Sequence, residues 1–282
     1  MESFLLKTDP CMEYKKQMEQ KATYIKEKFT EILGFTPDDT QTDQLIKFYE
    51  MTVEKNKVMN LTAITEFEEF VMKHYVDSMS IIKVIDLKDK NYSLIDIGTG
   101  AGFPGIPLKI MFPELDITLF DSLQKRLAFL DEVIRNLGLK KIVTVHGRAE
   151  EFGRKLDYRE KYDIVVSRAV AELTPLCELS IPFCKVGGYF IAYKGMKGDI
   201  ELKSADRAIK VLGGKLAGTY EFTLPATETD LEKDSTEADT NSGRFLIKIS
   251  KIKSTDNKYP RGGGKPFKTP LYIEKKVSQP KN

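Results

Sequence analysis

Residues Leu94–Gly105 read LIDIGTGAGFPG, and this run restricts the fold more than any other part of the chain. Leu94–Ile97 is short, apolar and rich in isoleucine, as a buried strand is. Gly98, Gly100, Gly102 and Gly105 follow at once. Glycine turns without the cost of a Cβ and lets backbone approach a ligand closely. An apolar stretch at 105–112 then has the length of a helix. Strand, glycine turn and helix make the opening unit of an α/β sheet. The carboxyl end of that first strand is where such sheets bind nucleotide-like ligands.

The rest of the chain supplies such a sheet. Strands are predicted at Ser93–Ile97, Asp116–Phe120, Ile142–His146, Asp163–Ser167 and Tyr189–Tyr193, with two more at 216–223 and 244–252. Helices are predicted between them at 105–112, 123–137, 172–184 and 199–212. This alternation implies a mostly parallel sheet with helices on both faces. Ahead of it lie three helices, at 13–33, 42–58 and 66–85, the first charged and solvated on most of its surface. The organisation read is a helical extension over 1–90, an α/β domain over 91–255 and a basic tail over 256–282. Within the domain, residues 225–243 carry six acidic side chains against one lysine, which reads as a flexible loop between two paired strands. Residues 244–282 reverse the balance, with 11 Lys or Arg against two acidic residues.

A chain of 282 residues with 41% hydrophobic content can bury a sizeable core. Cys11, Cys177 and Cys184 match neither a disulfide framework nor a zinc site. Cys177 and Cys184 read as small core residues in a reducing compartment. No signal peptide is apparent, and the longest apolar run falls short of the ~20 residues a membrane span needs. A cytoplasmic location is the expectation.

The glycine spacing separates two cofactor classes. A dinucleotide fingerprint needs G-x-G-x-x-G, but counting from Gly98 the sixth place is Phe103. The pattern is instead an acid followed by alternating glycines. S-adenosylmethionine carries a sulfonium and an ammonium and no phosphate, so Asp96 can face its ammonium, directly or through water. Gly98, Gly100 and Gly102 would form the backbone cradle. Asp121 ends the second strand, 23 residues beyond Gly98, near the ~20 expected of a ribose-binding acid. An NAD enzyme would share that acid. In the turn after the third strand, Ala149 and Glu150 can read the adenine edge, and Arg168 ends the fourth strand where a substrate base should arrive. Glycines in such a turn can be punctuation alone; Asp96, Asp121 and the β-α alternation favour a ligand.

Residues 42–223 and 244–271 resemble the bacterial small-subunit rRNA guanine-N7 methyltransferases, also called glucose-inhibited division protein B. The matching pieces are MNLTAIT (59–65), HYVDS (74–78), LIDIGTGAGFPGIPLKI (94–110), DSLQKRLAFL (121–130), GRAEEFG (147–153), YDIVVSRAVAEL (162–173), GGYFIAYKG (187–195) and YPRGGGKPFKTPL (259–271). The resemblance implies a class I S-adenosylmethionine-dependent methyltransferase fold, Rossmann-like, with an N-terminal helical extension. It implies methylation of one guanosine in the decoding-region loop of 16S rRNA, and cofactor contacts from Gly98, Phe103, Ala149, Glu150 and Arg168. The chain before residue 40 and the acidic insert depart from the family pattern and inherit no role.

Guanine N7 has an in-plane lone pair and loses no proton on methylation, so alignment and electrostatics suffice and no base is needed. Arg168 cannot be a base, because it stays protonated; it would orient cofactor or guanine, and Arg168→Ala should spare the fold. His74 and Asp77 read equally well as a local polar pair or as groups near the base. For RNA phosphates the candidates are Lys125, Arg126, Arg148, Lys194, Arg261 and Lys265, with Tyr259 in a glycine-rich loop free to stack on an unpaired base. The expected partner is 16S rRNA in the small ribosomal subunit, met by a monomer without metal or membrane. Two rivals stay open: an NAD-dependent oxidoreductase on the same sheet, and a non-catalytic RNA-binding assembly factor.

Overall fold

The computed structural model describes residues 10–227 and 243–271. The strands are β1 (Ser93–Ile97), β2 (Asp116–Asp121), β3 (Ile142–His146), β4 (Tyr162–Arg168), β5 (Cys184–Gly195), β6 (Gly214–Thr223) and β7 (Gly243–Lys251). They form one sheet in the order β3-β2-β1-β4-β5-β7-β6. β1 to β5 are parallel, and β7 runs antiparallel between β5 and β6. This is the fold class the resemblance implied. β5 begins earlier than the apolar pattern suggested, because an irregularity between Tyr162 and Ile164 lets Cys184 join the ladder ahead of Tyr189. β6 and β7 pair as expected, Thr223 opposite Gly243. Most of the acidic segment between them lies outside the described residues.

The helices before β4 are α1 (Pro10–Lys28), α2 (Asp39–Asn56), α3 (Phe67–Phe70), α4 (Asp77–Met79), α5 (Gly105–Met111), α6 (Gln124–Leu137) and α7 (Ala149–Phe152). After it come α8 (Leu173–Ser180), α9 (Gly198–Val211) and α10 (Lys265–Lys268). A wider turn at Val71–Val76 joins α3 to α4 and a tighter one at Ser80–Lys83 follows it, which makes one helical run over 67–83. α2 starts at a reciprocal cap: Asp38 accepts from the Gln41 backbone, and Gln41 accepts from the Asp38 backbone.

Strand side chains alternate between two cores. Leu94, Ile164, Val166, Ile191 and Tyr193 pack with the N-terminal helices, α5 and α6. Ile95, Ile97, Val165, Phe190 and Ala192 pack on the other face with α8 and α9. The N-terminal helices therefore share a core with the sheet. α1 is solvated along most of its length, as expected, and its carboxyl end anchors in that core through Ile25 and the following Phe29, both fully buried. Cys177 and Cys184 are buried, and desolvation pushes both thiols up.

Candidate active site

The registers align the carboxyl ends of the central strands. Ile97 lies opposite Phe120, and Asp121 opposite His146. From the adjacent pair β1 and β4 the connections run outward in opposite directions, which opens a crevice at the strand ends. A cavity of about 350 Å³ occupies it, lined by residues following β1 to β4 (Gly98, Asp121, Ala149, Glu150, Ala169 and Val170 among them) and by Gly264 and Phe267. A larger hollow of about 600 Å³ lies at the opposite, amino ends of the strands.

Gly98, Gly100 and Gly102 all have positive φ, 72°, 59° and 100°. A Cβ on Gly98 would come within 2.5 Å of Val170, so only glycine lets the turn pass beneath the loop after β4. The turn is held from below by Asp96, which is fully buried. Its Oδ2 accepts from the Thr99 hydroxyl at 2.7 Å and from the Gly105 backbone N–H at 3.0 Å. Its Oδ1 is buried with no hydrogen-bond partner among the described residues. Desolvation raises its pKa to about 6. The carboxylate thus occupies the first amide of α5, which a pyrophosphate would need, and keeps a second oxygen for a cation or a donor.

Asp121 is also buried. Its Oδ2 accepts from Gly100 N at 2.9 Å and its Oδ1 from Leu123 N at 2.8 Å. Each oxygen has spent one acceptor position and keeps another. That arrangement suits a vicinal diol. Ala149 and Glu150 open the short helix α7 on the next wall.

A second polar cluster joins β4 to the N-terminal helices. The Arg168 guanidinium donates to Asp77 Oδ2 at 2.8 Å, to the Lys73 carbonyl at 3.0 Å and to His74 Nδ1 at 3.1 Å. Arg244 Nε lies 3.2 Å from the other Asp77 oxygen. His74 Nε2 meets the Thr62 hydroxyl at 2.8 Å, and the His74 ring stacks on Phe103 at 4.3 Å. Burial, then the Arg168 charge, holds His74 well below its usual pKa. The neutral ring therefore presents its lone pair to Arg168 and its proton to Thr62.

A family model described as GidB, rRNA small subunit methyltransferase G, matches residues 41–227. Ribosomal RNA small subunit methyltransferase G of Lachnoclostridium phytofermentans is 51% identical over 243 residues, covering 86% of this chain and 95% of its own. The protein of the same name from Acetivibrio thermocellus is 50% identical over 238 residues, with 84% and 92% covered. The chain belongs to the GidB family.

Within this GidB structure the expected site residues fall into three groups. Gly98, Asp121, Ala149, Glu150, Arg126 and Arg148 meet at the cavity. Asp96, Gly100 and Gly102 build the turn beneath it. Phe103 and Arg168 do not line it: the Phe103 ring packs among Phe48, Phe70 and His74, with the Arg168 guanidinium 5.1 Å from its centre. Hence Arg168→Ala is not expected to be neutral for the fold, because it would leave the buried Asp77 with Arg244 alone.

Among the basic residues, Lys125, Arg148 and Lys265 are exposed, and Arg126 is partly so. Lys194 and Arg261 are instead held in ion pairs within the protein. Lys194 is half-buried and pairs with Glu201 at 2.7 Å and with the Ala171 carbonyl. Arg261 makes a two-pronged pair with Glu178 at 2.8 and 2.6 Å. Neither presents a free charge to a phosphate. Tyr259 is likewise buried within the second core, so its ring is not available for stacking. Sequence reasoning missed Val170, Leu179 and Phe267 as cavity walls. Phe267 stood inside a recognised motif, but its chain position is remote from the cofactor loops.

Among the described residues no helix is long and apolar enough to cross a membrane, and no cluster of His, Cys, Asp or Glu could hold a metal ion.

Proposed function

We propose that this chain transfers the methyl group of S-adenosylmethionine to guanine N7 of one nucleotide in the decoding-region loop of 16S rRNA. The observation that carries the cofactor is the Asp96 carboxylate. It closes the helix amide that a pyrophosphate would use and leaves one buried oxygen for an ammonium. Asp121 supplies acceptors for the ribose hydroxyls, and Ala149 with Glu150 supplies a donor and an acceptor for the adenine edge. These residues fit the group, and it brings the electrophilic methyl when bound.

The remaining work falls to positioning. N7 needs no deprotonation, and a neutral His74 held between Thr62 and Arg168 is not poised to remove a proton. Arg168 fixes the end of β4 against the N-terminal helices through Lys73, His74 and Asp77. Arg126 and Arg148 line the cavity, and the exposed Lys125 and Lys265 adjoin the cavity residues Arg126 and Gly264 in the chain; these four are the phosphate contacts of this reading. Substrate identity down to N7 and that loop, and cytosolic residence with the ribosome, rest on family membership.

The test is mass mapping of small-subunit RNA after incubation with the protein and S-adenosylmethionine. One added methyl on a decoding-loop guanine is expected; transfer elsewhere, or none, would overturn the substrate. S-adenosylhomocysteine should raise the Tm and NADH should not; the reverse would restore the oxidoreductase reading.

A further inference from the structure

The basic segment after β7 is docked rather than trailing. Arg159 donates to the carbonyls of Thr255, Asp256 and Tyr259, and also to that of Gly153 at the end of α7. Arg154 donates to the carbonyls of Lys258 and Pro260. Pro260 lies so close to α7 that a Cβ on Gly153 would stand 3.1 Å from it. Arg261 then grips Glu178 with its side chain and its backbone N–H, and its guanidinium also reaches the Thr269 carbonyl. Glu178 is fully buried and precedes Leu179, itself a cavity wall. These bonds seat α10 beside α8, which in turn packs on α7, the helix of Ala149 and Glu150.

Phe267 is the large side chain this seating delivers to the cavity. It lines the wall together with Gly264, yet remains 51% exposed. A single exposed phenylalanine is ordinary. One fixed at the mouth of a crevice by a clamp of partly buried hydrogen bonds holds a face toward whatever enters. Gly264 at φ 71° starts α10 and lets the chain turn back toward the cavity.

We propose that Phe267 is a cofactor-binding residue, the outer wall of the adenine subsite, carried there by the Arg261–Glu178 clamp. The proposal rests on the methyltransferase reading above and extends it to a segment far from the glycine turn. An aromatic face covering a base contributes about tenfold or more to affinity by truncation. Because the chain contains no tryptophan, Phe267→Trp also gives a single reporter at the site.

The test is calorimetric binding of S-adenosylhomocysteine to the full chain. Wild type should bind, and Phe267→Ala should bind roughly tenfold more weakly with its Tm nearly unchanged. Its KM for S-adenosylmethionine should rise while its KM for RNA holds. Phe267→Trp should keep affinity and change its emission on saturation. If wild type fails to bind, the cofactor reading itself falls. If wild type binds, while Phe267→Ala matches it within about twofold or the indole emission of Phe267→Trp ignores ligand, the wall assignment falls alone. A Phe267→Ala loss confined to RNA binding would likewise overturn it and move the residue to the RNA surface.

Discussion

Asp96 combines two properties that normally oppose each other. It is fully buried, and one of its oxygens has no partner among the described residues. Desolvation raises its pKa from 3.8 to about 6. Between those values the folded chain holds more protons than the unfolded one, so the stability this group contributes falls as pH rises through that window. Asp96→Asn keeps an acceptor for Thr99 and Gly105 and removes the charge. The variant should match or exceed the wild-type Tm at about pH 7, with the difference shrinking toward about pH 4. Its affinity for S-adenosylhomocysteine should fall roughly tenfold, as for a lost charge-assisted hydrogen bond. Wild-type affinity should weaken below about pH 6, and that of the variant should not. Equal affinities in the two proteins at neutral pH would remove the ammonium from Asp96.

Two ion pairs tie whole elements together. Arg168 and Asp77 link β4 to the helical run at 67–83, with both side chains largely buried (13% and 6% exposed). Removing one partner of a buried pair costs up to about 3 kcal/mol; Asp77→Ala leaves Arg168 without its carboxylate, and Arg168→Ala leaves Asp77 with Arg244 alone. Arg168→Ala and Asp77→Ala should each show that loss in urea unfolding, and the double variant should lose less than the two together. Additive losses would mean that the pair is not coupled. The Glu178–Arg261 clamp follows the same logic. Glu178→Ala should lower stability by about 3 kcal/mol and expose the segment after residue 255 to protease, whereas Lys258→Ala, on the surface, should do neither.

At the scale of the molecule, charge is sorted by position more than by amount. The chain carries a net of only +2, yet Lys125, Arg148 and Lys265 stand exposed around or beside one cavity mouth. Binding to a small-subunit RNA fragment should weaken as salt rises. Changing those three to glutamine should reduce the slope of log affinity against log salt by roughly one per side chain. Lys194→Gln should leave the slope alone, because that lysine is spent on Glu201. A slope indifferent to the three exposed residues would place the RNA on another face.

The strands, most helices and the glycine turn were legible in the sequence because each depends on local periodicity and on the one residue type that tolerates φ near 72°. Asp96, Asp121, Ala149 and Glu150 were legible for the same reason: each lies at or just beyond the carboxyl end of a strand, and strand ends converge in such a sheet. Tertiary structure decided the rest. Lys194, Arg261 and Tyr259 looked like RNA contacts until the fold consumed them, Lys194 with Glu201, Arg261 with the distant Glu178 and Tyr259 in the second core. Phe103 turned toward aromatic residues from helices that precede it by dozens of positions, and Phe267 came to the cavity from the far end of the sequence. Charge and aromaticity are written residue by residue, but burial and partnership depend on which segments the fold brings face to face.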